Sequence, residues 1–120
     1  MKRVLIVDDE KDITESLKVG LEHRGYKVDA FNDPVKAVDE FVPGAYSTII
    51  LDIRMPGMNG FEVFRELKKR DKDARVIFLT AFEMYKEEFR RLFPDIHAQG
   101  FLQKPISISL LVSQIGEIEA

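Results

Sequence analysis

Short apolar runs, each ending in a polar residue, alternate with helical patterns along this chain. Val4–Val7, Thr48–Leu51 and, within the run Arg75–Leu79, Val76–Leu79 are continuously apolar or nearly so. Such runs are too short for helices and do not alternate, which is the pattern of strands buried on both faces of a parallel sheet. Lys27–Phe31 alternates apolar and polar residues and reads as an edge strand, and Gly100–Leu102 is the fifth run. Between them, one helical face each is expected from Ile13, Leu17, Gly20 and Leu21; from Val35, Val38, Phe41 and Val42; from Phe61, Phe64 and Leu67; from Tyr85, Phe89, Leu92 and Phe93; and from Ile108, Leu111, Val112 and Ile115. Arg24-Gly25, Asp33-Pro34 and Pro43-Gly44 punctuate the elements, and Ser107 suits the N-cap of the last helix. Five βα units with right-handed crossovers predict a doubly wound α/β sheet with helices on both faces.

Two strands end in acids. Asp8 and Asp9 follow the first, and Asp52 follows the third. Ligands of open α/β sheets bind at the carboxyl ends of strands, so the three carboxylates are expected to converge. At a separation of ~4 Å and an effective dielectric of about 20, each pair would repel by about 4 kcal/mol. An all-oxygen cluster of that kind calls for a hard cation such as Mg²⁺. Taken alone, Asp52 would be an ordinary turn aspartate, and Asp8-Asp9 a solvated loop pair. Thr80 ends the fourth strand and Lys104 follows the fifth. Singly, they are a β-branched strand end and a surface lysine. The residue before a proline, as Lys104 is, can be fixed in direction by a cis bond. Together, three acids, a hydroxyl and an ammonium at the ends of strands one, three, four and five match metal-assisted phosphoryl transfer to a carboxylate, with in-line attack from Asp52.

Several classes are excluded. The 120 residues suit one domain, expected to span 1–120. A net charge of −3 without a long basic block argues against direct nucleic-acid binding. The short run Lys68-Lys69-Arg70 is expected to face solvent at a helix end, where it complements the dipole. No cysteine is present, so disulfides and thiol chemistry are out. Only four apolar residues separate Arg3 from Asp8, too few for a secretory or membrane segment, and the chain is expected to be cytoplasmic. His23 and His97 stand apart from the acids and are expected to be neither donors nor ligands. The phenylalanines are expected in the core, with Phe82 and Phe93 the candidates for exposure.

The chain resembles the receiver domain of two-component response regulators along its whole length. The segments that carry the resemblance are Val4-Leu5-Ile6-Val7-Asp8-Asp9-Glu10, Leu51-Asp52 through Gly60, Leu79-Thr80-Ala81 and Lys104-Pro105, in that order. The resemblance implies a flavodoxin-like sheet of strand order 2-1-3-4-5 and a phosphoryl group passed from a sensor histidine kinase, or a phosphotransfer protein, to Asp52. It implies Mg²⁺ bound by Asp9, Asp52 and the backbone carbonyl of Arg54, with Asp8 acting through water. Thr80 and Lys104 would contact the phosphoryl oxygens, and Phe101 matches the switch aromatic. Arg54 and Phe82, two residues after Asp52 and Thr80, are expected to shield the phosphoryl group and slow its loss. The domain would catalyse its own phosphorylation and slow dephosphorylation, and would signal to an output domain or a downstream protein. The stretch Arg90–Gly100 departs from the family pattern, and Pro94 should end the fourth helix early. Two other readings compete: a receiver-like protein-binding module that takes no phosphate, and an aspartate-nucleophile phosphatase. The phosphatase needs a general acid two residues after the nucleophile, where Arg54 cannot serve.

Overall fold

Each apolar run becomes a strand because its two sets of alternating side chains both find cover. The computed structural model describes residues 2–81, 85–92, 94 and 100–119, with the side chains of 85, 86 and 89 excepted. In chain order the elements are β1 (Arg3–Val7), α1 (Lys11–Glu22), β2 (Lys27–Phe31), α2 (Pro34–Glu40), β3 (Thr48–Asp52), α3 (Gly60–Arg70), β4 (Val76–Thr80), α4 (Tyr85–Leu92), β5 (Gly100–Gln103) and α5 (Ile108–Glu119). The sheet is wholly parallel with strand order β2-β1-β3-β4-β5, as expected, and β2 is an edge.

Successive strand residues point to opposite faces. Leu5, Val7, Ile49, Leu51, Val76 and Phe78 join α2 and α3 in one core. Val4, Ile6, Ile50, Ile77 and Leu79 join α1 and α5 in the other. Phe78 anchors the first core, with its ring centroid 5.3 Å from Phe61 and 5.6 Å from Phe64. The caps follow the sequence. Asp33 accepts from Val35 N and Lys36 N, Ser107 Oγ accepts from Leu110 N at 3.1 Å, and Asn59 with Glu62 forms a capping box. His23 is the C-cap residue of α1 and is exposed.

Three expectations need correction. The apolar stripe of α2 is Pro34, Ala37 and Val38, leading on to Phe41; Val38 and Phe41 are buried as expected, but Val35 and Val42 are exposed. Proline at the first helical position sets that stripe. The helix also stops at Glu40, before Pro43-Gly44. Phe41 turns extended and stacks its buried ring on Tyr46 at 6.0 Å. The basic run after Leu67 does more than face solvent. Lys68 Nζ donates to the Ala74 carbonyl at 2.6 Å, and Arg70 Nη1 donates to the Val38 carbonyl at 2.6 Å, tying α3 to the following loop and to α2. In α4, Leu92 is exposed. Tyr85, Phe89 and Phe93 lie outside the described side chains, as do Phe82 and the segment 95–99 with His97. The described part of this helix runs Tyr85–Leu92, and the expected early end before Pro94 falls on residue 93, outside the described residues. Among the described residues, no helix is long and apolar enough to cross a membrane.

The loop from Asp52 to α3 is folded back tightly on β3. Gly60 N donates to Ile53 O at 2.8 Å, and a Cβ at Gly60 would stand 2.9 Å from Ile53 Cα and against the Asp52 backbone. Gly60→Ala is expected to cost about 1–3 kcal/mol by overpacking. Gly116→Ala, in α5 where a Cβ meets nothing, should stabilise by about 1 kcal/mol through helix propensity. Urea midpoints of the two variants check both, and equal midpoints would contradict the close approach at Gly60.

Candidate functional site

Register places the acids side by side. Val7 pairs with Leu51 across β1 and β3, so the next residues, Asp8 and Asp52, leave the sheet level with each other. On the other side, Thr80 pairs with Gln103, and Lys104 N donates to the Thr80 carbonyl at 2.8 Å. The Lys104-Pro105 bond is cis.

The ammonium of Lys104 is the hub. Its Nζ lies 2.8 Å from Asp8 Oδ2, 3.2 Å from Asp52 Oδ1 and 3.3 Å from Glu10 Oε1. Asp8 and Asp52 are buried, as is Thr80. Asp8 is fixed by its surroundings: its N donates to Phe31 O, its carbonyl accepts from Asn32 Nδ2 at 2.8 Å, and Oδ1 accepts from Glu10 N at 3.0 Å. Asp8 Oδ2 is fully buried, and its one close polar contact among the described residues is the ion pair with the Lys104 ammonium.

Burial pushes the Asp52 carboxyl up to about 7 from 3.8, and the Asp8 charge adds to the rise. Lys104 offsets part of this by charge and hydrogen bond, while Asp9 adds to the rise. Burial by itself would lower Lys104, but contact with Asp8 and then Asp52 outweighs it, and the lysine ends above its ordinary value. One ammonium is therefore set against four carboxylates, and the most buried nucleophile candidate is short of positive charge.

The donor set fits a hard divalent cation. Asp8, Asp9 and Glu10 each offer a carboxylate oxygen, all within 4.8 Å of one another, and the buried Asp8 Oδ2 meets only the Lys104 ammonium among the described residues. Asp52 lies outside that group and is linked to Asp8 and Glu10 through the ion pairs each makes with Lys104. Arg54 is exposed beside it, on the rim of a cleft of about 460 Å³ that Asn59 and Glu88 also line. Glu10 is the residue the sequence reading passed over. A second cleft, of about 530 Å³ between α1 and the segment after β5, has Glu10 and Lys104 on its wall. Phe101 packs inward, its ring 5.2 Å from Phe78.

The raised pKa of Asp52 has a sign. The folded state keeps a proton that the unfolded chain gives up, so without divalent cations stability falls as pH rises from 3.8 to about 7 and is level above that. Asp52→Asn removes this cost. At about pH 8 it should exceed wild type by on the order of 2–4 kcal/mol, with the gap closing toward pH ~4. Urea unfolding at the two pH values checks this, and a gap independent of pH contradicts it.

Known proteins share this sequence pattern and fold. The sequence pattern of the response regulator receiver domain matches residues 4–116. The uncharacterized transcriptional regulatory protein YkoG of Bacillus subtilis is 37% identical over 112 residues, covering 93% of this chain and 48% of that protein. The chain spans about half the length of the curated relatives it matches. Among solved structures, response regulator TrrA of Thermotoga maritima in complex with Mg²⁺–BeF superposes with a TM-score of 0.85 at 36% identity, over 98% of this chain and 99% of that one. TrrA in complex with the histidine kinase ThkA superposes with a TM-score of 0.84 at 36% identity, over the full length of both chains. Sequence pattern, relatives and fold agree, and the chain belongs to the response regulator receiver domain family.

Proposed function

We propose that this receiver domain is a phosphorylation-operated signalling switch whose acceptor is Asp52. The observation that carries the reading is a buried carboxylate at the tip of β3, raised toward neutrality by Asp8 and burial, with Lys104 Nζ 3.2 Å away. A carboxylate in that position attacks phosphorus in line. The new P–O bond forms on Asp52 as the bond from phosphorus to the donor breaks, and the donor keeps the electron pair. Lys104, paired with Asp52 Oδ1, would neutralise charge on the transferred group. Thr80, buried at the tip of β4 beside it, is placed to donate its hydroxyl to a phosphoryl oxygen.

Asp8, Asp9 and Asp52, with the backbone carbonyl of Arg54, are the proposed Mg²⁺ set. When bound, the ion supplies positive charge to the phosphoryl oxygens and favours the ionised form of Asp52. The grouping of carboxylate oxygens around one ammonium and the complex of TrrA with Mg²⁺–BeF support this.

The proposed donor is a sensor histidine kinase or phosphotransfer protein, supported by the TrrA–ThkA complex. The proposed recipient of the signal is an output domain or a downstream protein. The naming of YkoG as a transcriptional regulatory protein, twice this chain's span, favours an output domain beyond this single receiver unit. Direct nucleic-acid binding by residues 1–120 is not part of the reading, given their net charge of −3. A cytoplasmic location is.

Intact mass after incubation with a small phosphodonor and Mg²⁺ tests the reading. One phosphoryl adduct is expected on wild type and none on Asp52→Asn. No adduct on wild type favours the binding module, and rapid donor turnover without a standing adduct favours the phosphatase. Thr80→Ala should still take the adduct but lose the phosphate-dependent NMR shifts of Phe101. Undiminished shifts there would break the proposed coupling between hydroxyl and ring.

A further inference from the structure

Glu10 stands at the N-cap of α1, yet its side chain makes no capping bond. That position favours Ser, Thr, Asp or Asn, whose short side chains accept from the first-turn amides. The glutamate reaches instead to the far end of the chain and puts Oε1 3.3 Å from Lys104 Nζ. Its backbone is held independently. Glu10 N donates to Asp8 Oδ1 at 3.0 Å, and its carbonyl accepts from Ile13 N and Thr14 N. The side chain is 61% exposed, against 15% for Lys104 and none for Asp8. Lys104 thus has two buried carboxylate partners and one at the rim.

These partners cease to be equivalent when a divalent cation enters. A cation on Asp9 and Asp52, reaching Asp8 through water, competes for the oxygens that Lys104 faces, and two positive charges on the same carboxylates repel. The ammonium must loosen its hold there, and a half-buried ammonium without a counter-charge is costly. We propose that Glu10 is a positioning residue that retains the Lys104 ammonium at the rim of the site when a divalent cation displaces it from Asp8 and Asp52. The inference rests on the Mg²⁺ reading above. It differs from a ligand role for Glu10, which the 4.8 Å spacing of its oxygen to those of Asp8 and Asp9 also allows.

Calorimetric Mg²⁺ titrations of wild type, Glu10→Gln and Glu10→Asp, each with Lys104 and with Lys104→Met, separate the cases. With Lys104 present, Glu10→Gln is expected to raise the Mg²⁺ dissociation constant about three- to five-fold, the worth of one partly exposed ion pair. Glu10→Asp keeps the charge but falls short of Lys104 by one C–C bond, about 1.5 Å, and should weaken binding equally. In the Lys104→Met background all three should bind alike. Unchanged affinity in Glu10→Gln overturns the inference. So does a loss that persists without Lys104, which makes Glu10 a ligand, or wild-type affinity in Glu10→Asp, which makes charge alone sufficient. Failure of wild type to bind Mg²⁺ at all is a separate outcome that removes the metal reading and this inference with it. Asp is a better N-cap residue than Glu, so Glu10→Asp should fold at least as well as wild type, and thermal melts verify that affinity losses are not folding losses.

Discussion

A parallel sheet covered by helices on both faces has no polar surface except at its strand ends. Here Val4, Leu5, Ile6 and Val7 are wholly buried, alternately toward α1–α5 and toward α2–α3, and the same holds for β3 and β4. Backbone pairing between strands is then the only way to satisfy the amides of these segments, and that pairing fixes register. Register in turn makes Asp8 and Asp52 neighbours and sets Lys104 beside Thr80. The site is a consequence of burial everywhere else.

What collects at those ends is unbalanced charge. Carboxylates from the tips of β1 and β3 share one ammonium from the segment after β5, and the buried Oδ2 of Asp8 meets only that ammonium among the described residues. The cost appears as the rise of Asp52 toward neutral pH. A binding cation relieves it, as does a phosphoryl group that engages Lys104, which is how a local charge change can bias a larger equilibrium. Phe101, packed against Phe78, is the ring that such a bias is proposed to move.

The strands and the acidic ends were legible because continuous apolar runs of four or five residues admit few other structures, whereas the strand order came from the resemblance to receiver domains. The helix phases were less so. In α2 the β-branched Val35 looked like a core residue, but Pro34 opened the helix and carried the buried stripe. The reach of Lys68 and Arg70 to carbonyls was hidden because Val38, the target of Arg70, lies 32 residues away and becomes adjacent only on folding. Glu10 gave a fainter signal: a long acidic residue at a helix start, where a short capping side chain is usual, directly after two aspartates. A residue that does not cap where a cap is wanted has a partner elsewhere, and that partner is 94 positions away.

The claim on which all of this turns is that Asp52 is held near neutrality by burial and by its acidic neighbours until positive charge arrives. Carboxyl-carbon NMR of Asp52 across pH, with and without Mg²⁺, tests it most directly. The account predicts titration near the raised value of about 7 in metal-free protein, and a fall toward the ordinary carboxylate range when Mg²⁺ is added. An Asp52 that titrates near 3.8 without metal, or whose titration Mg²⁺ leaves unmoved, would contradict it.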